Sequence, residues 1–213
     1  MRVSLSELLD HAEAATREAW HAIVGPVTIV DNRSQILLAY VSVAMEHQEA
    51  IVLLARQRLY GSALALVRSV YEILYRAAWI YSCAKPDDVT RIWEGRFDFP
   101  KMGDIVAAID ATSDTDFFQR FKALSWRDQN DFTHTGRLQI HSRFSGGELE
   151  SRYPDEMIMA QVSSATMAAI LGSCCSRLTD AFQKASVWSG CWSRSRPPIS
   201  SASIPTTPNH TDR

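Results

Sequence analysis

Four cysteines in 213 residues are too few and too badly spaced to cross-link this chain or to hold a metal. Cys83, Cys174, Cys175 and Cys191 form no Cys-x-x-Cys unit and are not joined to histidines at ligand spacing, so they read as reduced thiols of a cytoplasmic protein. No run reaches about 18 uninterrupted apolar residues, which argues against a membrane-spanning helix. Met1-Arg2-Val3-Ser4 leads straight into an amphipathic pattern without an apolar core or cleavage site, so no signal peptide is expected. A surplus of positive charge is missing too. Lys and Arg total 22 against 24 Asp and Glu, net −2, which excludes a broad positive field and requires any RNA contact to be local. The chain has no Gly-x-Ser-x-Gly elbow, no glycine loop to cradle phosphate and no cysteine in a catalytic context. A di-iron bundle needs two Glu-x-x-His units; Glu18-x-x-His21 occurs once and Glu46-His47 is wrongly spaced, so neither metal nor cofactor is expected.

What remains is helical periodicity. Ser4-x-x-Glu7 is a capping box, followed by Leu5, Leu8, Leu9, Ala12, Ala15, Ala19, Trp20 and Ile23 at helical spacing up to Gly25-Pro26. Asp31-Asn32 opens a long second helix, which Tyr60-Gly61-Ser62 is expected to break. Residues 63–84 are apolar on most sides and predict a central buried helix. Pro86-Asp87-Asp88 starts a short helix to Glu94, and Phe99-Pro100 precedes another over 102–110. Ser113-Asp114-Thr115-Asp116 supplies caps for a helix to about Thr135, closed by Gly136. Leu138 to Phe144 and Glu148 to Tyr153 flank Ser145-Gly146-Gly147 as a small hairpin or a loop. A last helix is expected from Pro154 to about Lys184. The fold class is therefore all-α: four or five long helices in one domain over 1–186, with short accessory helices, and a Ser/Pro/Thr/Arg-rich disordered tail over 187–213.

Two polar constellations interrupt this pattern. Arg68, Glu72 and Arg76 stand at i, i+4 and i+8 on the otherwise apolar third long helix. Unpaired charge there would be expensive, so the stripe reads as an ion-pair ladder that also holds a neighbour such as Glu46 or Glu49, or as a support for a site elsewhere. The second is Arg127 and His134. Seven residues are two helical turns to within about 20°, a rise of about 10 Å, so both side chains can address one phosphodiester. A fork-shaped, always-charged guanidinium can hold phosphate while imidazole exchanges a proton. Asn130, Asp131 and Thr133 lie between or beside them, and Arg137, His141 and Arg143 follow with no acid between His134 and Gly147. The plainer alternative is a solvated helix face, with His134 favoured by the helix C-terminal carbonyls.

With Arg127-Asp128-x5-His134, a spacer of six residues, the chain resembles the HEPN superfamily of nucleotide-binding helical domains, which carry Arg-x(4 to 6)-His near a helix end. Residues 60–72 and 132–136 are also similar to a group of bacterial helical proteins without an assigned role. The resemblance covers about Leu37 to Gly136. It implies a homodimer whose two motifs form one cleft, and a metal-independent endoribonuclease of toxin–antitoxin or phage-defence systems, with Arg127 and His134 catalytic; from the residues themselves, Asn130, Asp131, Thr133, Arg68 and Glu72 are expected in support and Arg137, His141 and Arg143 on the RNA. Relatives with degraded motifs only bind RNA or a protein partner such as an antitoxin, so a non-catalytic scaffold is the alternative it leaves open. No membrane association is expected.

Overall fold

The computed structural model describes residues 3–23 and 31–177. They form α1 (Leu5–Ile23), α2 (Asn32–Arg56), α3 (Tyr60–Ser82), α4 (Pro86–Trp93), α5 (Met102–Ser113), α6 (Phe117–Thr133), α7 (Arg137–His141), a two-stranded antiparallel hairpin of β1 (Phe144–Ser145) and β2 (Glu148–Leu149), and α8 (Asp155–Arg177). Among the described residues the chain is thus an all-α bundle of five long helices, three short ones and a minimal hairpin. The Gly25-Pro26 stop, the end of the last helix beyond Arg177 and the tail over 187–213 lie outside the described residues.

The central position of α3 follows from its composition. Ala63, Leu64, Val67, Val70, Tyr71, Leu74, Tyr75, Ala78 and Ile80 are buried around most of its circumference, and α2, α5, α6 and α8 pack on it. Each fully buried large side chain contributes about 1.5–3 kcal/mol of transfer free energy, so the four-sided contact fixes α3 as the frame. By length and composition α2 could cross a membrane, yet here Val41, Met45, Ile51 and Val52 are buried and α1, α3, α4 and α8 cover it. Arg33, in its first turn, donates to the backbone carbonyls of Ile80, Tyr81 (3.3 Å) and Ala84 (2.7 Å), placing a cation on the end of α3 where the dipole favours one.

Local rules hold at two starts. Ser4 and Glu7 form the reciprocal capping box, and Asp31 accepts from the Ser34 amide at 2.7 Å. Four expectations fail. Gly61 does not break a helix; it lies in the first turn of α3, and the break is Gln57–Leu59, where Arg58 at φ 57 lets Leu59 N–H reach Leu54 O in a tight C-terminal turn. Residues 113–116 do not cap α6 with their side chains. Asp116 is the N-cap without a side-chain bond, and the buried Asp110 of α5 accepts from the Phe118 and Gln119 amides, both at 2.9 Å. The left-handed residue closing α6 is Thr135 (φ 55), not Gly136; Gly136 N–H returns to Asp131 O. Leu138 to His141 is helix rather than strand, because the Asp131 carboxylate accepts the Leu138 amide (3.3 Å) and starts α7.

Burial also marks the core by its phenols. Tyr71, 1 % exposed, is pushed up to about 12, chiefly by burial, with a hydrogen bond to Ser164 acting the other way; burial, then Tyr71 and Asp110, raise Tyr75 as well. An unfolded phenol ionises near 10. The raised group therefore contributes stability that is complete below pH 10 and is lost as pH rises toward 12, amounting for Tyr71 to about 2–3 kcal/mol. Denaturant unfolding at pH 8.5 and 11.5 should show that loss, reduced in Tyr71→Phe. A flat profile would mean that these hydroxyls are hydrated.

Candidate functional site

The site forms where the end of α6 meets the middle of α3. Glu72 orients Arg68 by accepting from Nε at 2.8 Å, and Arg76 approaches the other carboxylate oxygen at 3.7 Å, so the ladder read from the i, i+4, i+8 spacing is present. It reaches neighbours through rings rather than through Glu46 or Glu49, with which it makes no ion pair. Arg68 lies over the Trp126 ring at 4.5 Å and Arg76 over Phe99 at 5.0 Å. Burial raises Tyr40, opposed by the charge of Arg76 beside it.

His134 is the C-cap of α6, exposed, with its amide on Asn130 O at 2.9 Å. Its Nε2 lies 3.3 Å from Arg68 Nη1. A guanidinium has donors only, so Nε2 is the atom that would accept in this contact. No hydrogen bond joins Arg127 and His134, the two residues that sequence spacing paired. Arg127 is exposed on the side of α6 turned away from buried Gln129 and has no ion-pair or hydrogen-bond partner among the described residues. The arginine beside the imidazole is Arg68, from another helix.

The supporting residues separate by role. Thr133 Oγ1 donates to Gln129 O at 2.8 Å and lies 3.4 Å from Ala65 O, which fastens α6 to α3. Asp131 holds α7. A Cβ at Gly136 would stand 2.5 Å from Asp131 Oδ1 and 2.8 Å from its Cα, so glycine is required there for close approach. Asn130 Oδ1 is buried without a hydrogen-bond partner among the described residues. Arg137 and His141 are exposed one turn apart on α7, and Arg143 turns toward the first turn of α3. Sequence reasoning missed Trp126 and Lys122, whose Nζ lies 5.2 Å from the Trp126 ring; their i, i+4 spacing was the available signal. No group of three His, Cys, Asp or Glu side chains able to hold a metal occurs among the described residues.

Residues 41–187 match the model of a family described as "Family of unknown function (DUF6988)", which covers well over half of the chain. The chain belongs to that family. Nothing among curated proteins and nothing among solved structures matches it.

Proposed function

We propose that this member of the DUF6988 family is a metal-independent endoribonuclease of HEPN type. The observation that carries the reading is the contact between Arg68 and the exposed His134, held by Glu72 and Trp126 in a patch that also presents Lys122. A phosphodiester arriving there draws the Arg68 fork onto its non-bridging oxygens, since a bidentate oxyanion is a stronger acceptor than imidazole. That movement uncovers Nε2. His134 then takes the proton of the ribose 2′-OH, the 2′-oxygen bonds to phosphorus, and the phosphorus to 5′-oxygen bond breaks. The proton returns to the 5′-oxygen, leaving a 2′,3′-cyclic phosphate and a 5′-hydroxyl. Arg127 adds charge from the solvent side, and Arg137 and His141 extend the path of the strand. Two subunits joined about a two-fold axis would double these few groups; Leu124, one turn before Arg127, is 74 % exposed and suits such a contact.

The second reading is a partner-binding protein without catalysis. It is favoured by one fact: Arg68 is already satisfied within a single subunit by Glu72 and Trp126. Incubation of wild type and His134→Ala with mixed cellular RNA, with and without chelator, separates the two. Cyclic phosphate ends in wild type only, and undiminished by chelator, are expected. Equal products from both proteins, or a requirement for added metal, would leave the partner-binding reading.

A further inference from the structure

The start of α3, like that of α5, has no side-chain acceptor for its first amides; what sets it apart is the polar groups around Gly61. Its N-cap, Leu59, provides no side-chain acceptor, and the Tyr60 and Gly61 amides find none among the described residues. Three polar groups converge over the bare Cα of Gly61. The place a Cβ would take lies 2.8 Å from Arg143 Nη2, 2.9 Å from the Tyr153 hydroxyl and 3.1 Å from Gln139 Nε2. Tyr153 is 6 % exposed and its hydroxyl has no hydrogen-bond partner among the described residues, although a buried hydroxyl is ordinarily bonded. Arg143 pairs with no carboxylate among the described residues and leans on the Tyr153 ring at 5.8 Å. Free helix amides, a guanidinium, an amide nitrogen and a spare hydroxyl share one property: all can donate. With the positive end of the helix dipole behind them they suit an oxyanion.

The geometry points to a phosphate-binding site at the N-terminus of α3, formed by the Tyr60 and Gly61 amides, Arg143, Gln139 and Tyr153. Gly61 precedes Arg68 by seven residues, so the site lies on nearly the same face of α3, about 10 Å along it. Resting on the nuclease reading above, its occupant is a phosphodiester of the same RNA strand, upstream or downstream of the one at His134. The site would then set which bond is cut.

Inorganic phosphate is the first probe, titrated into the full chain while the Gly61 amide is followed by NMR. Wild type should bind it. Arg143→Ala should weaken binding by about tenfold or more, as loss of a charge-assisted donor does, and Tyr153→Phe severalfold. The phenylalanine keeps the ring packed on Tyr60 (5.9 Å) and Phe132 (6.3 Å), so its effect is not one of folding. His134→Ala should bind phosphate as wild type does. No binding by wild type, or equal binding by both site variants, would overturn the proposal. A single-stranded oligoribonucleotide is the second probe. Competition between it and phosphate, lost in Arg143→Ala, assigns the site to RNA. Phosphate binding that is sensitive to the variants but indifferent to the oligonucleotide would uphold the site and remove RNA as its source. Phosphate binding in a protein that never cleaves RNA would defeat the nuclease reading alone.

Discussion

Asp110→Ala is expected to lower stability by about 3 kcal/mol or more, because the buried carboxylate is the acceptor for two amides at the start of α6 and charge-assisted bonds contribute about 1.5–3 kcal/mol each. Removing it takes the acceptor from both N–H groups, that of half-buried Phe118 and that of exposed Gln119, and frees the N-terminus of the helix that carries His134. Asp110→Asn should lose less, about 1–2 kcal/mol, since one oxygen still accepts while the amide nitrogen faces the second donor. Asp116→Ala is the control. Although Asp116 occupies the N-cap position, its side chain pairs among the described residues only with exposed Arg120, and its removal should change stability by about 0.5 kcal/mol or less. Urea unfolding of the three variants tests the ranking. A larger loss in Asp116→Ala than in Asp110→Ala would return the cap to the linker.

That reversal of roles shows where sequence reading reaches its limit. Ser4 with Glu7, and Asp31 with Ser34, are caps formed within four residues, so local pattern finds them. Asp110 caps a helix that begins seven residues later and in another direction, which only the α5–α6 corner makes possible. The same holds for the breaks. Gly61 and Gly136 looked like helix ends because glycine relieves a positive φ, but Arg58 and Thr135 take the left-handed positions. The glycines are needed for close approach instead: Gly136 against Asp131, and Gly61 beneath Arg143 and Tyr153. The Arg68, Glu72, Arg76 ladder was legible because its spacing lies on one helix. Its meeting with His134 was not, since 66 residues separate the partners and nothing in either segment encodes how α3 faces α6.

On the proposed nuclease reading, that meeting also ranks the arginines. His134→Ala should reduce RNA cleavage by about 10²- to 10⁴-fold, the usual worth of a positioned proton-transfer group. Arg68→Ala should reduce it by about 10²- to 10³-fold, as removal of a fixed charge-stabilising donor does. Arg127→Ala should have an effect of about tenfold or less, because its guanidinium stands in solvent, where an exposed charge is screened and unfixed. Arg68→Lys keeps the charge but replaces the planar fork with a point charge, so it should recover only part of the loss. Folding is not the explanation for the first two. His134 is exposed, and without Arg68 the Glu72 carboxylate still has Arg76 nearby, so thermal unfolding of both variants should stay close to wild type. Single-turnover cleavage of one defined RNA by the four variants gives the order. If Arg127→Ala proves the more damaging arginine change while Arg68→Ala cleaves normally, the charge comes from the outer face of α6, and Arg68 serves only to hold the imidazole against α3.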